Sequence, residues 1–377
     1  MCCRISSEQP NNIIFVFPEF LKGSSEGFGA PGCLQQKNKK VELKRYRQSG
    51  QLMKTLQFRE AICEAMSEEM RRDETIYLMG EEVAEYNGAY KASKGMLDEF
   101  GEKRVIDTPI AELGFAGVAI GSAMNGNRPI VEFMTFNFSL VGIDQIINNA
   151  AKIRQMSGGQ FNCPIVFRGP TASAGQLAAT HSQAFESWYA NCPGLKVVVP
   201  SNPADAKGLL KSAIRDDDPV IFMESEQMYG DKGEVPEGEY LIPLGVAEKK
   251  REGKDVTIVS FGKIIKEAYK AAEVLAEEGI DCEIIDLRTV RPMDTDAILE
   301  SVKKTNRLVI LEEAWPFGNV ATEITYQVQN HAFDYLDAPI EKINTADTPA
   351  PYSPVLLEEW LPNSKDVIKA VKRVMYR

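Results

Sequence analysis

The chain has 377 residues, 44% hydrophobic and 26% charged, enough for two domains with cores and unlike a peptide module or an unfolded scaffold. Acidic residues outnumber basic ones by 54 to 43, and a net charge of −11 repels phosphate backbones and anionic lipid, so neither nucleic acid nor a membrane is an expected partner. The uncharged run 113–127 is Gly-rich and too short to cross about 30 Å of hydrocarbon.

Residues 1–52 carry 8 Lys and Arg against 4 Asp and Glu, mix Gly/Ser-rich stretches with a basic tail, and show no sustained helical or alternating period. They fit neither a secretory signal nor an Arg-rich transit peptide, so a disordered or loosely packed extension is expected, with Met53 as a plausible alternative start. From Leu56 the pattern changes. Phe58, Ile62, Ala65, Met66 and Met70 recur at helical spacing, and Ile76 to Met79 reads as a buried strand. Further strands are predicted at 130–133, 164–167, 196–199 and 220–223, and helices at 143–156, 181–189 and 203–215, the last with Asn202 as N-cap. Apolar strands without alternation, each reached through a helix, predict a parallel sheet covered on both faces. The Gly- and Pro-rich stretch 230–243 reads as a linker. Beyond it, strands at 256–260, 282–287 and 308–311 and a helix with the apolar face Ile264, Ile265, Ala268, Ala271, Ala272 and Leu275 predict a second, smaller domain. The expected fold class is α/β, two parallel-sheet, three-layer domains over 53–235 and 244–377.

Seven scattered cysteines with no CxxC pair suit a reducing compartment, and two histidines, His181 and His331, exclude a His-rich zinc site. Glu112 stands where an extended X-Pro stretch gives way to a Gly-rich helix start, and it reads either as a buried functional acid or as a first-turn dipole partner. Phe133, Phe136 and Phe138 follow a strand end, where they either pack the core or flank a flat heteroaromatic ligand. His181 closes a small-residue loop and reads as a cap or as a catalytic imidazole, whereas His331 reads as surface. No GxxxxGK[ST] phosphate loop and no HExxH motif is present.

The strings GEEV (Gly80–Val83), DTPIAELGFAG (Asp107–Gly117), EFMTFNF (Glu132–Phe138), IVFRG (Ile165–Gly169) with HSQ (His181–Gln183), and DLRTVRPMD (Asp286–Asp294) together resemble the beta subunits of pyruvate dehydrogenase (acetyl-transferring). The resemblance covers Met53 to Arg377 and implies a transketolase-like pyrimidine-binding domain followed by a transketolase C-terminal domain. It further implies a thiamine diphosphate-dependent decarboxylase of pyruvate that passes an acetyl group to the lipoyl group of dihydrolipoyl acetyltransferase. Its diphosphate and Mg²⁺ are held by an alpha subunit bearing a GDG motif, which this sequence lacks. The implied assembly is alpha2beta2 around a beta homodimer, docked to the lipoyl and subunit-binding domains of the acetyltransferase. The implied setting is the bacterial cytoplasm, or an organelle matrix in a eukaryote. By resemblance Glu112 activates the cofactor's aminopyrimidine, Glu81 is the second active-site carboxylate, Phe138 contacts the pyrimidine and His181 lies at the site mouth. A potassium loop would fall on Ile165, Ala213, Ile214, Asp216 and Asp218. Branched-chain 2-oxoacid and acetoin dehydrogenase beta subunits are the enzymatic alternatives, and a non-catalytic scaffold is the alternative of another class.

Overall fold

The computed structural model describes residues 52–173 and 175–377. The expectation of an unstructured extension falls almost wholly on residues outside that range. Among the described residues fourteen strands follow in chain order: β1 Met53–Gln57, β2 Ile76–Gly80, β3 Val105–Asp107, β4 Arg128–Glu132, β5 Val166–Pro170, β6 Lys196–Val198, β7 Val220–Glu224, β8 Lys232–Pro236, β9 Glu248–Arg251, β10 Val256–Ser260, β11 Cys282–Asp286, β12 Thr289–Arg291, β13 Leu308–Leu311 and β14 Glu341–Ile343.

Seven strands form one sheet in the order β12-β6-β7-β5-β4-β2-β3, and five form a second in the order β14-β13-β10-β11-β9. The expected parallel pairing holds through both sheets except at one edge of each, where β12 runs antiparallel to β6 and β9 antiparallel to β11. The stretch read as a linker is partly a strand, since β8 pairs antiparallel with β1.

The buried strands alternate between two cores, as period-two geometry requires. Leu78, Ile130, Val166, Val220 and Phe222 face the helices Phe58–Arg72 and Pro203–Arg215. Met79, Val131, Phe167 and Ile221 face the helix Glu112–Met124, in a cluster continuous with Val259, Ile285 and Ile310 of the second sheet. The second sheet's other face, Val256, Ile258, Ile284 and Val309, packs on the helices Ile265–Glu277 and Ser364–Val374. Both sheets are therefore covered on both faces. Asn202 caps its helix as expected, its side chain accepting from Asp205 N at 3.0 Å.

Two expected helices differ. The 143–156 segment is π-helical over Gln145–Ala150 and α-helical only over Ile153–Met156. Gln145 lies against Gly117 of the neighbouring helix, and Ala151 N reaches back to Ile146 O at 3.0 Å, the wider i→i+5 spacing. The 181–189 segment splits into a 3-10 turn, Ala179–His181, and a short helix, Glu186–Ala190. Between them Gln183 spends its backbone groups elsewhere: its carbonyl accepts from Ala172 N at 2.9 Å, and its N–H donates to Asn137 Oδ1 at 3.1 Å.

Candidate active site

In the first sheet the chain steps from β2 outward to β3 and then returns to the other side of β2 as β4, so the C-terminal ends of β2 and β4 flank the crevice where open α/β sheets bind ligands. Gly80 and Glu132 are register partners at those ends, and a Cβ on Gly80 would lie 2.4 Å from Glu132 O, so only glycine lets the strands approach this closely. Glu81 leaves β2 directly into the crevice. The turn behind it is tied down by Asp107 at the end of β3, whose carboxylate accepts from Ala84 N at 2.7 Å and Glu85 N at 3.1 Å.

Glu112 opens its helix after Ala111, which makes no side-chain cap. Glu81 and Glu112 are 4% and 6% exposed, and Glu81 Oε1 is buried with no hydrogen-bond partner among the described residues. Burial first, and then the adjacent Glu112 carboxyl, lifts the Glu81 pKa to about 7. Among the described residues neither acid forms a salt bridge. Gly142 abuts the Glu112 backbone, where an added Cβ would sit 3.0 Å from the Glu112 carbonyl, and so brings the turn Phe136–Leu140 to the same end of the helix.

The three aromatics after β4 divide. Phe133 and Phe136 are core residues, the first stacked on Phe167 at 6.0 Å and the second edge-on to Tyr189 at 5.7 Å. Phe138 is half-buried and meets the His181 ring edge-on at 5.1 Å, while His181 Nδ1 lies 3.0 Å from Thr180 Oγ1. The structure thus sets Glu81 beside Glu112 and Phe138 against His181, and Gly142 ties the turn carrying Phe138 to the helix start that carries Glu112. A flat heteroaromatic ring fits these residues, because a buried carboxyl oxygen lacking a partner accepts a ring or amino N–H, and Phe138 offers an apolar face.

The transketolase, pyrimidine binding domain, family model matches residues 54–232, and the transketolase, C-terminal domain, model matches 245–367. The chain is 57% identical over 330 residues to the pyruvate dehydrogenase E1 component subunit beta of Rhizobium meliloti, covering 87% of this chain and 72% of that one. It is 50% identical over 337 residues to the mitochondrial subunit beta of Rattus norvegicus, covering 88% and 94%. The chain belongs to the pyruvate dehydrogenase E1 beta-subunit family. Among solved structures, a split gene transketolase described as an inactive beta4 tetramer matches with a TM-score of 0.71 at 22% identity, over 85% of this chain and 99% of that one, a likeness of fold.

Sequence reading missed Glu226, which lies near His181, and Tyr90 beside it. Burial raises the Glu226 pKa, with nearby Tyr90 and the charges of His181 and Lys263 opposing the rise. Tyr90 is held by stacking on Tyr229 at 5.2 Å. No local period marks either residue, because their meeting depends on the order of β2 and β7 in the sheet.

The residues expected to form a potassium loop lie around the C-terminal end of the helix Pro203–Arg215, where Ile214, Asp216 and Asp218 offer oxygens to side-chain cations. Arg128 Nη1 donates to Ile214 O at 3.2 Å and Asp216 O at 3.0 Å, Lys196 grips the Asp216 carboxylate, and Asp218 pairs with Arg154 at 2.8 Å and Lys196 at 3.2 Å. Ala213 O and Ile165 O accept from Asp216 N and Val220 N. These contacts neither add to nor remove the expectation of a cation here, since an oxygen that accepts one hydrogen bond keeps a second lone pair.

Proposed function

We propose that this chain is the beta subunit of a pyruvate dehydrogenase E1 component, a thiamine diphosphate-dependent enzyme that oxidatively decarboxylates pyruvate and passes the acetyl group to the lipoyl group of a dihydrolipoyl acetyltransferase. The observation that carries this reading is the buried Glu81–Glu112 pair, in which Glu81 Oε1 has no hydrogen-bond partner among the described residues. When bound, the cofactor supplies a carbon nucleophile for the keto group and an electron sink for the bond to CO₂. Glu112 would hold the aminopyrimidine ring and keep a shared proton at its own carboxyl group. Glu81, titrating at about 7, holds or releases a proton beside it at working pH. Phe138 covers the ring face, and His181 meets the substrate or the lipoyl arm at the mouth.

The diphosphate and Mg²⁺ fall to an alpha subunit, since the sequence has no GDG motif. The assembly is alpha2beta2, with a beta homodimer at its centre and the lipoyl and subunit-binding domains of the acetyltransferase as external partners. The folding domains are 53–235 and 244–377. Co-expression with a GDG-bearing alpha chain should give a heterotetramer that prefers pyruvate over 2-oxoisovalerate and acetoin. Preference for either of the other two overturns the substrate assignment, and an assembled complex without turnover supports a scaffold.

A further inference from the structure

We propose that Lys263 and Glu313, which emerge from the second sheet, are positioning residues that hold the backbone of Ser173 and thereby set the loop carrying His181. β10 and β13 are adjacent parallel strands, and each delivers one of the two residues just beyond its C-terminal end. Ser173 is fully buried and belongs to the segment that follows β5 in the first sheet. Both of its backbone groups cross the seam: its N–H donates to Glu313 Oε1 at 2.9 Å, and its carbonyl accepts from Lys263 Nζ. Lys263 and Glu313 pair with each other at 3.1 Å with side chains only 9% and 6% exposed, and Lys263 also donates to Gln227 Oε1 at 3.0 Å.

The far end of the same loop is anchored on the first sheet's side. Gln183 N–H donates to Asn137 Oδ1 at 3.1 Å, beside Phe138, and Ala172 N–H closes the loop on Gln183 O at 2.9 Å. His181 therefore hangs from two anchors, one in each lobe. A loop has no ladder to satisfy buried backbone groups, so Ser173 would leave both unpaired without this grip. A buried ion pair adds little net stability compared with apolar packing, because desolvation offsets attraction. What this one supplies is position. The seam is also rich in acid: burial, with Glu312 and Glu313 adding, lifts Glu186 to about 8, so a lysine beside Glu313 sits where further carboxyls already compete for charge.

This inference rests on the proposed function, and a double-mutant cycle in the alpha2beta2 enzyme separates the two. Glu313→Ala and Lys263→Met should each lower kcat for lipoyl-domain acetylation by about tenfold or more, the scale of a misplaced group. Lys263→Arg should restore most of the loss. In a His181→Ala background neither substitution should lower the rate further, although both still lower the melting temperature. Full additivity with His181→Ala overturns the proposal, as does an unchanged rate in the single variants or in His181→Ala itself. Should Glu313→Ala fail to assemble, Glu313→Gln keeps an acceptor for Ser173 but not the charge for Lys263, and the same non-additivity is required of it. A wild-type tetramer inactive on pyruvate defeats the functional reading instead.

Discussion

Two groups of buried carboxylates share the first sheet and are built on opposite terms. In one, the fully buried Arg168 reaches Glu132 through Nη1 and clamps Glu224 through Nε at 2.7 Å and Nη2 at 2.6 Å, while Tyr229 donates to Glu224 at 2.7 Å. Burial works against the guanidinium charge, and the two carboxylates more than offset it, so its pKa is raised. In the other, Glu81 and Glu112 lie side by side with no such cation among the described residues, and Glu81 Oε1 has no partner there. Both groups stand at strand ends of the same sheet, so burial alone does not mark a functional acid. A buried carboxylate clamped by a cation reads as scaffold, whereas one that is buried, crowded by like charge, without a cation and incompletely satisfied is a candidate for binding a ligand.

Substitutions sharpen that contrast. Arg168→Met should have the largest effect, because it strands two buried carboxylates; a loss of about 3–5 kcal/mol in chemical denaturation is expected. Glu112→Gln should leave folding and assembly intact yet lower pyruvate turnover by at least about two decades, the scale of lost proton transfer, and unchanged turnover would return Glu112 to the scaffold class. Glu81→Gln tests the sign of the crowding. Since the folded-state pKa of Glu81 is raised from 4.5 to about 7, its contribution favours the fold at low pH and is lost as pH rises through that window. The variant should therefore match the parent near pH 4.5 and exceed it by about 1–3 kcal/mol at pH 8, as read from melting curves across pH; a constant gap removes the like-charge argument. The smallest effect belongs to Asp218→Asn, whose partly exposed ion pairs with Arg154 and Lys196 are worth under about 1 kcal/mol, a difference to be read from the melting temperature.

The strands that build the crevice were legible as short apolar runs, because a sheet buried on both faces leaves no alternation to hide them. Val256–Ser260 and Leu308–Leu311 match the expected spans residue for residue. The short edge strands were not legible. Thr289–Arg291 and Glu248–Arg251 carry no apolar run, and their pairing is decided by partners far away in sequence. The helix expected at 181–189 failed for a related reason: Gln183 finds better acceptors and donors across the loop than along it. At the site, local pattern left Glu112 undecided between dipole partner and buried acid. The neighbour that bears on the choice, Glu81, follows strand β2 and is far from Glu112 in sequence, so no local pattern reports it.

The antiparallel edge strand β12 has a consequence for dividing the molecule. It comes from the second half of the chain but completes the sheet of the first, lying against Val197 and Val198, which are wholly shielded from solvent. A fragment ending near residue 243 would carry its own helices and its crevice acids, yet it would present the bare rim of β6 to other fragments, an open invitation to edge-to-edge aggregation. The two halves are thus stitched together by backbone pairing as well as by packed side chains, and expressing the first without the second should yield insoluble protein.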